Sequence, residues 1–157
     1  MTIDRIDMEE ITTRYAELRD ERADLETDRD DAESEAQEDQ PDAEAQSAAD
    51  EAWAAADRAL KAWDEDNAEE LKELDELIEE LRGAGGGDHQ WEGDWFPSEL
   101  IAEDDFEEYA EELADSIGAI VSNAGWPNNC IDWKQAAREL AQDYSEVEYQ
   151  GRYYYWR

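Results

Sequence analysis

Apolar residues in the first half of the chain recur every three or four positions, embedded in charge. Met8, Ile11, Tyr15, Leu18 and Leu25 follow the spacing of a coiled-coil seam, which Arg22 interrupts. A polar stretch from Ser34 to Asp42 contains Pro41, the only proline of this half. Beyond it Trp53, Ala56, Leu60 and Trp63 begin a second seam. It shifts near Asn67 and continues through Leu71, Leu74, Ile78 and Leu81. Gly83 stands where a helix C-cap belongs. The pattern predicts two antiparallel helices joined near Pro41. Neither seam is wide, so a lone hairpin would be marginal and pairing into a four-helix homodimer is expected.

The second half has a different rhythm. Asp104 with Glu107 has the spacing of a capping box, and Phe106, Tyr109, Ala110, Leu113 and Ile117 then form one helical apolar face. Gly118 ends that helix, and a loop with Gly125, Pro127, Asn128 and Asn129 follows. Asp132 caps another helix, with Gln135 at its third position and Trp133, Ala136, Ala137, Leu140 and Tyr144 turned inward. The ending SEVEYQGRYYYWR predicts two short strands around a Gln150-Gly151 turn. The expected fold is mainly α: an N-terminal antiparallel helical hairpin, coiled-coil-like, plus a small C-terminal α+β domain ending in a β-hairpin. The boundaries are residues 1–83 for the hairpin, 84–97 for a Gly-rich linker and aromatic lead-in, and 98–157 for the C-terminal domain.

Composition changes across the Gly-rich segment Gly83–Gly87. Before it lie 31 acidic and 9 basic residues, two Trp and one Tyr; after it lie 17 acidic and 4 basic residues, five Trp, six Tyr and both Phe. Acidity is therefore shared by both halves, while the aromatic material for a core concentrates in the second, which excludes a wholly disordered chain. Overall, 48 carboxylates against 13 Lys and Arg give a formal net charge of −35. Charge of that size repels itself in a compact protein and disfavours direct contact with nucleic acid or an anionic membrane. The single Cys130 excludes an internal disulfide and fits a reducing compartment. No apolar run reaches transmembrane or signal length, so the expected location is the cytoplasm.

Catalytic chemistry finds little to work with. His89, the only histidine, falls in GAGGGDHQ and reads as a solvated linker residue. Cys130 precedes a helix start but has no histidine near it in sequence, so it reads as structural or incidental. One His and one Cys cannot build a zinc site, and Asp28, Asp30 and Asp31 lack the glycine and terminal Glu of an EF-hand loop. Gly83–Gly87 follows a helix rather than a strand, so it is no phosphate loop. The reading is a protein that is not an enzyme and needs no cofactor or metal.

What would want organised negative charge is a protein that binds DNA, since duplex DNA carries roughly one negative charge per 1.7 Å of axis. On the predicted helix after Asp104, the face opposite the apolar one carries Glu107, Glu108, Glu111, Glu112 and Asp115. Carboxylates three or four residues apart on a helix stand about 5–6 Å from each other, near the spacing of successive phosphates on one strand.

The segment Asp104–Tyr144 resembles the C-terminal domain of ArdA-type antirestriction proteins. The shared features are the acidic helix, Gly118-Ala119, Ile131-Asp132-Trp133 and Ala137-Arg138-Glu139-Leu140. The cassette, with an aromatic ending like Tyr153–Arg157, is also similar to that of small phage and prophage proteins. The likeness covers about the last third of the chain, and the first 83 residues do not look like that family's N-terminal domains. The resemblance implies an elongated acidic dimer that mimics DNA and occupies the DNA-binding groove of type I restriction–modification enzymes. It would place the mimicking charges on Asp104, Asp105, Glu107, Glu108, Glu111, Glu112 and Asp115. Gly118, Asp132, Trp133, Arg138 and Leu140 would be structural, with Asp132 a cap and Arg138 a partner for neighbouring carboxylates. Other readings stay open: anti-CRISPR inhibition of a DNA-binding effector by the same mimicry, an adaptor or chaperone of basic proteins, and plain adaptation to high salt. The last fits a chain whose only lysines are Lys61, Lys72 and Lys134.

Overall fold

The computed structural model describes residues 2–83, 87–120 and 125–157. Residues 84–86 of the Gly-rich segment and residues 121–124 of the ArdA-like segment lie outside the described residues. The chain is mainly helical, with a smaller antiparallel β component. It divides into two units, Thr13–Asp75 and the combination of Met1–Thr12 with Glu76–Arg157.

The first unit is the body of a helical hairpin built from helix α1 (Met8–Gln37) and helix α2 (Ala43–Leu81). The turn contains Pro41, and Asp42 opens α2 by accepting the Ala45 amide on Oδ1 at 2.8 Å, a side-chain cap. The pairing is antiparallel: Arg14 meets Glu70 at 2.9 Å, Tyr15 Oη donates to Asp75 at 2.8 Å, and Arg22 meets Asp64 at 2.9 Å. Trp63 Nε1 donates to Glu21 at 3.1 Å. The seam positions Leu18, Leu60 and Leu74 are buried, joined by Ala49. Tyr15, Leu25, Trp63 and Leu71 are only half-buried, and Trp53 is exposed. Arg22, which breaks the seam, turns that break into an ion pair across the hairpin with Asp64 and another along α1 with Glu26.

The second unit is organised by a four-stranded antiparallel sheet of β1 (Arg5–Asp7), β4 (Glu99–Ala102), β5 (Ser145–Tyr149) and β6 (Arg152–Trp156), in the order β1-β4-β6-β5. Strands β5 and β6 and their Gln150-Gly151 turn stand as the sequence predicts, with both turn residues at positive φ, the geometry of a two-residue hairpin loop. A second hairpin pairs β2 (His89–Trp91) with β3 (Asp94–Phe96) through Glu92-Gly93, again both at positive φ. Gly87 is required by close approach, since a Cβ there would lie 2.1 Å from the Phe96 carbonyl oxygen. The register places Leu100, Ala102, Val147 and Tyr154 on one sheet face, all buried. Met8, Ile11, Leu77, Ile78, Leu81, Phe96, Ile101 and Phe106 are also buried in this unit. The opposite face carries Tyr155, whose ring lies 4.6 Å from Phe106 of helix α3 (Phe106–Ser116). Helix α4 (Trp133–Ala141) follows, and Tyr144 beyond it stacks edge-on to Phe106 and Tyr109.

Several expectations are corrected here. Asp104 does not cap α3: a 3-10 turn spans Glu103–Asp105, Asp105 immediately precedes the helix, and no side-chain cap bond forms. Asp105 Oδ2 instead accepts the Asp4 amide at 2.8 Å, because β1 runs past that turn. Ile117 lies one residue past α3 and is 70% exposed, so it leaves the apolar face. His89 is no solvated linker residue: it is half-buried in β2, with Nε2 3.0 Å from the hydroxyl of Thr12, itself 1% exposed. The Thr12 hydroxyl reaches the Met8 and Glu9 carbonyls, which makes it the acceptor for His89 Nε2–H.

Candidate functional site

None of the 48 carboxylates is buried, and Thr12 is the only polar residue in the core among the described residues. An ionised carboxylate without a partner is too costly to bury, so a chain this acidic must sort its charge to the outside. Helices do that sorting here. On α1, Asp24, Asp28, Asp31 and Glu35 follow one another at steps of four, three and four residues, and all are exposed. On α3, Glu107, Glu111 and Asp115 follow at steps of four and are also exposed.

The seven residues expected to carry the mimicry do not all do the same work. Glu112 is 2.8 Å from Arg5 of β1, which also lies 3.7 Å from Glu99 and over the Tyr109 ring. Burial opposes the Arg5 charge, yet the hydrogen bond it donates to Glu112 and the charges of Glu99 and Glu112 outweigh it and raise its pKa. Asp104 stands 3.8 Å from Arg152, which is bonded to Asp4, and Asp105 holds the Asp4 amide. Glu108 is half-buried. Among the described residues, the side chains of Glu107, Glu108 and Glu111 have no hydrogen-bond or ion-pair partner, so these three are the electrostatically available part of the α3 row. Nothing in the sequence signalled the diversion of Glu112, because Arg5 reaches α3 only once β1 has paired with β4.

The residues assigned structural roles are placed unevenly. Gly118 has φ +76 and its amide donates to the Asp115 carbonyl at 3.1 Å, closing α3. Asp132 caps α4, with Oδ1 accepting the Gln135 amide at 3.1 Å. Trp133 and Leu140 are half-buried. Arg138 departs from expectation: it is exposed and forms no ion pair among the described residues, because its neighbour Glu139 is held by Gln135 at 3.0 Å. With Lys134, one turn earlier, it lines an open cleft of about 260 Å³ whose other walls include Glu103, Asp104, Glu107 and the rings of Phe106 and Tyr155.

Features that would mark an enzyme or a metal centre are sparse among the described residues. Cys130 is exposed, with Sγ 3.5 Å from the Asn129 side-chain oxygen. No group of three His, Cys, Asp or Glu side chains is gathered to hold a metal ion among the described residues; Asp30 is paired with Arg29 at 3.0 Å. No helix is long and apolar enough to cross a membrane. Comparison with protein-family models, curated proteins and solved structures finds no match to this chain.

Proposed function

We propose that this chain is a non-enzymatic DNA mimic that inhibits a DNA-binding defence complex in the host cytoplasm. The observation that carries the reading is the outward sorting of the charge: none of the 48 carboxylates is buried, most are exposed, and they are ordered in rows on helices. The magnitude is in the right range. The hairpin unit Thr13–Asp75 holds 24 carboxylates and seven cations, a net of −17. Its α2 portion of 33 residues runs about 50 Å. That is about one net charge per 3 Å of helix axis, roughly half the density of duplex DNA. The likeness of Asp104–Tyr144 to the ArdA ending supports type I restriction–modification enzymes as the target. The same field would suit a CRISPR effector, which also tracks a nucleic-acid backbone with basic channels.

The test is restriction of incoming unmethylated DNA in cells expressing this chain, run against several type I systems and one CRISPR effector. Relief of restriction in any type I system supports the antirestriction version, and relief of the effector alone moves the target. Competition with DNA for the purified enzyme should weaken steeply as salt rises, as DNA binding does. The informative variant is Glu107→Lys with Glu111→Lys, which reverses two exposed, unpartnered charges and spares the Arg5–Glu112 pair. It should reduce competition at least tenfold while the thermal transition stays in place. Unchanged competition by a folded double variant would remove α3 from the contact surface.

A further inference from the structure

The four-stranded sheet has an open edge at β5. This strand holds the outer place in the order β1-β4-β6-β5, and among the described residues no other strand pairs with its far side. The register settles which backbone groups are left over. The two-residue loop Gln150-Gly151 makes Tyr149 and Arg152 the closing pair, bonded to each other through their backbones. Alternation along an antiparallel ladder then turns the N–H and C=O of Val147 and Ser145 towards β6, and those of Glu148 and Glu146 outward. The side chains of Glu146 and Glu148 are exposed, share one face of the sheet, and have no hydrogen-bond or ion-pair partner among the described residues. Val147 between them is buried on the opposite face, with Tyr154. The sheet's other edge strand, β1, is only three residues long, and its Arg5 is already held by Glu112.

We infer that the outer edge of β5 docks an extended segment of a partner protein, one with Lys or Arg at alternate positions and an apolar residue between them. A strand is the form that uses the backbone groups of Glu146 and Glu148 together, because they recur at every second residue. Residues of an added strand opposite Glu146 and Glu148 point to the same face as those two carboxylates, where opposite charge stabilises and like charge destabilises. The residue opposite Val147 points to the other face, at the margin of the buried cluster of Leu100, Val147 and Tyr154, which suits an apolar side chain. The same pattern rejects a second copy. Antiparallel pairing of β5 with itself about Val147 would set Glu146 opposite Glu148 twice, gathering only like charge on one face. A net charge of −35 draws cationic segments in general. The ladder adds selection for an extended segment whose charges alternate. This docking edge lies outside the mimic reading and does not use the α3 row.

The probe is a fluorescein-labelled, capped peptide alternating Lys and Val, mixed with the full chain at moderate salt and followed by anisotropy and by amide exchange in NMR spectra. Binding should slow exchange of the Glu146 and Glu148 amides and leave that of Val147, already bonded to β6, unchanged. A peptide of the same composition with its lysines contiguous should bind about tenfold more weakly. Glu146→Lys with Glu148→Lys should also weaken capture about tenfold, with the thermal transition in place. Glu107→Lys with Glu111→Lys changes the net charge equally and should leave capture within about twofold, since salt screens charges away from the edge. Glu148→Pro removes an outward N–H without touching the β5–β6 ladder, and should weaken capture more than Glu148→Gln does. Equal losses in the two charge-reversal variants, equal binding of the two peptides, or unprotected Glu146 and Glu148 amides would each overturn the inference. So would protection of those amides in the chain alone at rising concentration, which would place a second copy on the edge. Peptide capture at β5 without relief of restriction sinks only the mimicry, and relief without capture sinks only the docking edge.

Discussion

The hairpin and the sheet unit solve opposite problems with the same alphabet. In Thr13–Asp75 four apolar side chains are buried, and polar bonds cross between the helices: Arg14 to Glu70, Tyr15 to Asp75, Arg22 to Asp64 and Trp63 to Glu21. In the other unit thirteen apolar side chains are buried among the described residues, and aromatic rings stack around Phe106. Exposed ion pairs contribute up to about 1 kcal/mol each, whereas burying one large apolar side chain contributes about 1.5–3 kcal/mol. Stability therefore concentrates in the sheet unit and charge display in the hairpin. A surface that must stay acidic leaves few positions for a core, and the cross-helix bonds set register more than they add strength.

The largest effect should come from removing the centre of the well-packed unit. Phe96 is fully buried, with the Trp91 ring 6.1 Å away edge-on and the Arg82 guanidinium over its face. Phe96→Ala should cost about 3–5 kcal/mol, a large part of the 5–15 kcal/mol typical of a whole domain. Urea titration followed by near-ultraviolet circular dichroism should show the aromatic signal lost at much lower denaturant. A shift smaller than about 1 kcal/mol would mean that stability is not concentrated where burial places it.

The two regions also differ in how far their sequence reveals them. The hairpin is legible because its signals are local: the seam of Leu18, Leu60, Leu74, Ile78 and Leu81, the break at Pro41 and the stop at Gly83, whose φ is +72. The β5–β6 hairpin and the Asp132 cap are local too. What escapes is long-range. Strand β1 is three residues long and pairs with β4 some ninety positions away, Ile6 opposite Leu100, so nothing beside Arg5 or Asp7 announces a sheet. The run Glu99–Ala102 between Pro97 and three acidic residues is the one local hint of a buried strand. The turn Glu92-Gly93 between HQW and DWF obeys the same rule as Gln150-Gly151 and was equally readable. For the candidate site, exposure of the carboxylates follows from charge alone. Which of them are already engaged depends on Arg5, Arg152 and the Asp4 amide, all fixed by the β1–β4 pairing.

A smaller effect tests how much local signals matter inside the sheet unit. Asp132 supplies the N-cap of a helix only nine residues long, and Asp132→Ala should cost about 1 kcal/mol. Because α4 sits beside Phe106 through Tyr144, the loss should appear as reduced protection of α4 amides in hydrogen exchange. Asp132→Asn, which keeps the acceptor, should restore protection. If both variants behave alike, charge at the helix start rather than the cap bond is the operative feature.

The smallest effect is a pH dependence that should separate the two regions in one titration. Tyr109 has its pKa raised, first by burial and then by its 2.9 Å hydrogen bond to Tyr144. In the unfolded chain a tyrosine releases its proton near pH 10. Above that pH the unfolded state binds fewer protons than the folded one, so stability falls as pH rises. Tyr155 is shifted the same way by burial and by Glu103 and Glu146. The hairpin body holds a single tyrosine, Tyr15, whereas six lie in the sheet unit. Between pH 9 and 11 the aromatic near-ultraviolet transition should move to lower denaturant while the α1–α2 helical signal changes less. Tyr109 is partly open to solvent, so its share is at most about 1 kcal/mol. Tyr109→Phe should flatten that slope by its share even though it starts less stable at pH 7, having lost the Tyr144 hydrogen bond. An unchanged slope in the phenylalanine variant would place the alkaline sensitivity elsewhere in the tyrosine cluster and leave the Tyr109–Tyr144 pair a purely structural contact.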